Sequence, residues 1–158
     1  MKEVYISPTK GRMTFEAMLD DLVQFLNAAP GEAHKLIIGT DSHTRDDLCF
    51  VTAIVVHRVG KGARYFYRRR NQRKIASLRQ KIFYEPSLSL ATASRIADTL
   101  SARGLGHLNL EVHLDVGQQG DTKDLIREVV GMVVGSGFDA KIKPNSYAAS
   151  TVADKYTK

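Results

Sequence analysis

Cysteine is nearly absent: Cys49 stands alone among 158 residues. This excludes an internal disulfide framework and a cysteine-rich zinc module, and it suits a reducing compartment. Long apolar runs are missing too. The stretch Val51-Thr-Ala-Ile-Val-Val56 falls far short of the ~20 residues that span a bilayer. The first thirteen residues hold no apolar segment of the secretory kind. The expectation is a cytoplasmic protein with no membrane partner. There is no internal repeat, no low-complexity tract and no linker rich in Pro, Gly or Ser, so the chain reads as one domain over 1–158. With 43% hydrophobic and 25% charged residues, it has the means to fold rather than stay disordered.

Acidic residues are absent from one stretch, and that absence is the most informative. Between positions 61 and 81 lie nine basic residues and no Asp or Glu: Lys61, Arg64, Arg68, Arg69, Arg70, Arg73, Lys74, Arg79 and Lys81. The net charge of the whole chain is only +6. Opposite charges usually intersperse on a plain surface. Arg64, Arg68, Arg69, Arg70, Arg73 and Lys74, interleaved with Tyr65, Phe66 and Tyr67, therefore read as a track for a nucleic-acid backbone with stacking platforms. The plainer alternative is a solvated hairpin face with an aromatic core side.

Hydrophobic periodicity orders the chain. A helix is predicted at about 14–28, capped by Thr14, with Ala17, Met18, Leu22, Phe25 and Leu26 as its apolar stripe. A buried strand comes next at 35–41, then a turn at 45–47 and a β-branched strand at 48–59. Gly60-Lys61-Gly62 signals a hairpin into a strand at 64–69. The segment 75–103 is helical in pattern, with Pro86 kinking or splitting it. A strand at 108–116 alternates, Leu108, Leu110, Val112 and Leu114 to one side and Glu111, His113 and Asp115 to the other. A helix capped by Asp121 or Thr122, a short strand at 138–143 and a last helix at about 147–155 complete the order. Three antiparallel strands leading into alternating helix and strand predict an α/β fold, one mixed five-stranded sheet flanked by helices on both faces.

Two acids fall at strand ends, Asp41 and Asp115. Such carboxylates repel each other when brought together unless a cation lies between them. Oxygen-only sites of this kind suit Mg²⁺. The alternative is that both are turn or cap residues. Asp154 can share a helix face with Tyr147 and with Ser150 or Thr151, or else is a solvated acid near the terminus. Glu85 precedes Pro86 and so reads as a helix-start residue. His43 and His113 lie two positions from Asp41 and Asp115, placed to hold a phosphate or move a proton, or else as bystanders. No His-Glu-x-x-His zinc motif and no P-loop is present, no Ser/His/Asp order stands out, and Cys49 reads as a core residue.

Three motifs then carry a resemblance: Leu36-Ile-Ile-Gly-Thr-Asp-Ser-His43, His113-Leu-Asp-Val-Gly-Gln-Gln-Gly-Asp-Thr122, and Lys143-Pro-Asn-Ser-Tyr-Ala-Ala-Ser-Thr-Val-Ala-Asp-Lys155. With Ser7-Pro8 and Met13-Thr-Phe-Glu16, they make the chain resemble the YkuK-like family of small bacterial ribonuclease H-like proteins over nearly its whole length. The resemblance implies a ribonuclease H-like fold with an extra N-terminal helix. It implies that Asp41 is the central metal ligand, that Asp115 and Asp154 complete the shells, and that Glu85 is the nearest match to the family's remaining acid. It further implies a nuclease using two Mg²⁺ or Mn²⁺ ions, with His113 or His43 assisting proton transfer or product release. Two other readings stay open: a catalytically silent nucleic-acid-binding module, and a regulatory protein-binding domain. RNA, DNA and hybrid substrates all remain open, and exposed edge strands would allow a homodimer.

Overall fold

In the computed structural model, residues 3–44, 48–72, 77–114 and 123–142 are described. Thr14 opens α1 (Phe15–Asn27) as its sequence predicts, its hydroxyl accepting from the amide of Ala17 at 3.1 Å. The buried stripe is Phe15, Met18, Leu19, Leu22 and Leu26. Ala17, expected in that stripe, is exposed, because the i, i+3, i+4 face runs from Phe15 through Leu19 instead.

The sheet has seven strands rather than five. They run β1 (Tyr5–Ser7), β2 (Gly11–Met13), β3 (His34–Thr44), β4 (Leu48–Arg58), β5 (Ala63–Gln72), β6 (Asn109–His113) and β7 (Asp139–Lys141). Their spatial order is β2-β1-β5-β4-β3-β6-β7. The expected five-stranded unit, β5-β4-β3-β6-β7, is therefore intact, with a hairpin added at its β5 edge. Three-residue strands are too short for periodicity to reveal. The turn between them was the available signal: Ser7 Oγ accepts from the amides of Thr9 and Lys10, and Gly11 takes φ +78°.

Strands β3, β4 and β5 form an antiparallel meander, while β3 pairs in parallel with β6 and β6 with β7. The hairpin between β4 and β5 turns on Gly60 and Gly62, at φ +75° and +101°. Arg58 and Gly62 close it through a 2.9 Å backbone hydrogen bond.

Helix α2 (Leu78–Ala102) is one continuous helix of 25 residues, with Ser77 as its N-cap. Pro86 neither splits it nor starts it. Proline in a helix interior removes one amide donor and costs about 3 kcal/mol in an exposed setting. Here Pro86 is buried. Burial of Ala93, Ile96 and Leu100 further along holds the helix on the sheet. Glu85 is consequently a mid-helix residue, not a helix-start residue.

The third helix is α3 (Lys123–Gly135). One core joins all three helices to one sheet face. Phe15, Met18 and Leu22 of α1, Ile96 of α2 and Val129 of α3 meet Leu36 and Ile38 of β3, Ile54 of β4, Phe66 of β5 and Val112 of β6. The opposite face carries Ile37, Val51, Ala53, Val55 and Tyr67. Helices were expected on both faces; all three described helices lie on one, and the expected helix at 147–155 lies outside the described residues.

Candidate active site

Strand β3 is where the sheet changes character, antiparallel to β4 on one side and parallel to β6 on the other. The parallel register runs from Lys35↔Asn109 to Gly39↔His113. Beyond it β3 continues with Thr40 and Asp41, still paired with Thr52 and Val51 of β4. Among the described residues, β6 supplies no partner for β3 beyond Gly39, at the end of the sheet where α/β folds place ligands.

A chain of buried hydroxyls fixes α2 over this end. Thr40 Oγ1 lies 3.0 Å from Thr52 Oγ1 and 2.7 Å from Ser89 Oγ. All three residues are buried. Ser89 stands one helical turn after Glu85, so the two share a face of α2. Pinning Ser89 to Thr40 therefore brings Glu85 to the strand end. The resulting cleft is lined by Thr40, Ile82, Glu85, Pro86, Ser89, His113 and Leu114. Oε2 of Glu85 is buried there. Sequence reasoning missed this hydroxyl chain. Its one signal was Thr40 beside Asp41, and nothing local marked Ser89 as its partner 49 positions away.

Asp41 sits on the neighbouring residue and is half-buried, its Oδ1 accepting from the Ser42 amide at 2.9 Å. Strand alternation turns it to the side opposite Thr40. His113 is buried, and its Nε2 lies 3.1 Å from Glu111 Oε1. Glu111 also holds Lys35 Nζ at 3.0 Å. Burial opposes the charge on Glu111, but the hydrogen bonds and charges of Lys35 and His113 outweigh it and hold the carboxyl below its usual range. Burial lowers the His113 pKa despite the hydrogen bond and attraction of Glu111. An ionised Glu111 only accepts, so Nε2 carries the ring proton. The backbone of His43 pairs with Cys49; its side chain lies outside the described set. Asp115 and Asp154 also lie outside the described residues.

Among the described residues no group of three or more His, Cys, Asp or Glu is arranged to hold a metal ion. The two described candidates, Asp41 and Glu85, offer only carboxylate oxygens, a donor type that fits Mg²⁺ or Mn²⁺.

The basic residues of β5 divide between the two faces. Phe66 packs in the helix-side core, so Arg64, Arg68 and Arg70 share that side; Tyr67 packs on the other, with Arg69. Arg64 forms an ion pair with buried Asp21, which also meets Lys10 at 3.2 Å. Arg68 meets Glu3 at 3.0 Å. The guanidinium of Arg69 lies 5.8 Å from the centre of the Tyr67 ring. Arg70 is exposed. Arg73 and Lys74 lie outside the described residues. Cys49 is half-buried and packs against the second sheet face. No described helix is long and apolar enough to cross a membrane.

Comparison with known proteins agrees with this architecture. The ribonuclease H-like family matches residues 17–158. The Uncharacterized protein YkuK of Bacillus subtilis (strain 168) is 40% identical over 167 aligned positions, covering 98% of this chain and 97% of that protein. No solved structure matches. A meander feeding into parallel strands, with Asp41 on its first long strand beyond the β6 pairing, is thus matched along the sequence from α1 onward: the chain belongs to the ribonuclease H-like family, among its YkuK-like members.

Proposed function

We propose that the chain is a metal-dependent nuclease that hydrolyses phosphodiester bonds of nucleic acid. The observation that carries this reading is the position of Asp41 on β3, just past the last pairing with β6, with Glu85 of α2 held over the other face of the same strand by the Thr40–Ser89 hydrogen bond. Asp41, Glu85, Asp115 and Asp154 would hold Mg²⁺ or Mn²⁺. When bound, such ions supply an acidified water and stabilise charge on the departing oxygen. The remaining work falls to the chain. The buried hydroxyl chain keeps Glu85 in place beside β3. Glu111 fixes the His113 ring with its proton on Nε2. The guanidinium groups of β5 attract the phosphate backbone.

The test is a cleavage panel of single-stranded RNA and DNA, both duplexes, an RNA–DNA hybrid and a four-way junction. Each is incubated with Mg²⁺, Mn²⁺ or chelator, beside Asp41→Asn and Asp115→Asn. Cutting that needs metal and is lost in both variants is the expected result. Metal-independent cutting, or binding without cutting in every condition, would overturn it; the latter would leave a binding module on the same fold.

A further inference from the structure

A second cleft lies on the helix side of the sheet, between α2 and strands β1, β4 and β5, with a volume of about 140 Å³. Arg68 and Arg70 enter it from β5 and Arg95 from α2, beside Thr52, Thr92 and Glu3. Glu3 is forked between two guanidinium groups. One oxygen meets Arg68 Nη1 at 3.0 Å and the other meets Arg95 Nη1. Aromatic rings support both: the Arg95 guanidinium lies 3.8 Å from the centre of Phe15 and that of Arg68 lies 5.9 Å from the centre of Tyr5. Arg70 has no carboxylate partner among the described residues. Three cations therefore face one anion, leaving two positive charges in a cleft that also offers the hydroxyls of Thr52 and Thr92, both buried.

We infer that this cleft binds a phosphate group, and that Glu3 occupies the place such a group takes. A carboxylate held by two guanidinium groups uses the same planar forks that bind phosphate oxygens. A phosphate brings a further acceptor oxygen and more negative charge, for which Arg70 is the third cation lining the cleft. Glu3 precedes β1 and takes no part in the ladder, so releasing its carboxylate from the fork and from the Tyr5 hydroxyl breaks no strand pairing. Thr52 lines this cleft and hydrogen-bonds Thr40 of the acidic cleft, so the two share a wall. The inference rests on the nucleic-acid reading above only for the source of the phosphate, either a nucleic-acid backbone or a free nucleotide.

Binding separates the two questions when it is measured with chelator present, where no cleavage contributes. Fluorescence anisotropy of a labelled oligonucleotide duplex, and competition by inorganic phosphate and by a mononucleotide, supply the two arms. Glu3→Gln removes the competing charge, and several-fold tighter binding is expected. Arg95→Gln is expected to weaken binding about tenfold and to lower the slope of log affinity against log salt by about 1. Arg70→Gln is exposed and unpaired with any described carboxylate; it weakens binding in the same direction and guards against misfolding of Arg95→Gln. Response in the oligonucleotide arm alone assigns the cleft to a nucleic-acid backbone, and response in both arms to any phosphate. Unchanged binding in Glu3→Gln and Arg70→Gln, or weaker binding in Glu3→Gln, overturns the inference whether or not the protein cleaves.

Discussion

Thr40 is the hub of the hydroxyl chain, and this makes the energetics of its neighbours unequal. Ser89→Ala removes one hydrogen bond of 2.7 Å but leaves Thr40 bonded to Thr52 at 3.0 Å. No buried polar group loses its last partner in the chain, so the cost is that of an ordinary hydrogen bond, about 1 kcal/mol. For a chain of this length that lowers Tm by roughly 2–4 °C. Thr40→Val keeps the shape and removes the hub. Ser89 can turn its hydroxyl to the carbonyl one helical turn back. Thr52 lies on a central strand, whose carbonyls serve the ladder, so its buried hydroxyl bears most of the loss. The expected cost is about 1–3 kcal/mol. Once Thr40 is valine, Ser89→Ala has no hydroxyl contact left to break, so the double variant should cost little more than Thr40→Val. The coupling energy is then about 1 kcal/mol. Urea unfolding of the wild type, both single variants and the double variant measures it. Strict additivity, or a Ser89→Ala cost equal to that of Thr40→Val, would refute the hub.

Local chemistry sets two further outcomes. The folded pKa of Glu111 is depressed, so its contribution is complete above its unfolded value near 4.5 and is lost as pH falls through the folded value. Glu111→Gln should cost about 1–2 kcal/mol at pH 7, the low end because Lys35 is over a third exposed; its urea midpoint should fall less steeply than that of the wild type below pH 4.5, and parallel curves would sink the assignment. Gly60→Ala meets no atom within 4 Å of its new Cβ, so its cost is that of φ +75° alone, about 1 kcal/mol in urea unfolding; no loss would mean that the hairpin adjusts its turn.

The long strands and the first helix were legible because their signals are local. Thr14 caps the helix that begins at the next residue, and β3 and β4 are apolar runs too short for helices, bounded by turn residues. The N-terminal hairpin was not legible, because three residues carry no period and β1 gains its place from pairing with β5, far along the chain, at Ile6↔Tyr67. Pro86 misled for a related reason. Its local penalty is real, but burial of Pro86 itself and of the rest of α2 outweighs it, and that balance is set by tertiary packing. Asp41 was expected to end its strand, but β3 runs on to Thr44 along β4, and what stops before Asp41 is the pairing with β6, which no local signal marks. The placement of Glu85 beside that strand was not legible either, since the contact joins positions 40 and 89 across the core.

The arginines show the same limit from the other side. In sequence, Arg68, Arg69 and Arg70 are one cationic block. In a strand they cannot act as one, because successive side chains leave opposite faces. Alternation sends Arg68 and Arg70 towards α2, where Arg95 joins them from a different element and Glu3 meets two of the three. The cationic cleft is therefore assembled from Arg68, Arg70 and Arg95 around Glu3 rather than from a contiguous run. Its charge depends on where Glu3 sits: with Glu3 in the fork the cleft holds two unbalanced cations, and with Glu3 withdrawn it holds three. Screening is weaker in a partly enclosed cleft than on open surface. That single carboxylate thus has more influence on phosphate affinity than an exposed lysine elsewhere on the chain, and Glu3→Gln should change affinity more than the loss of a cation at Lys61, which is exposed and already paired with Glu32.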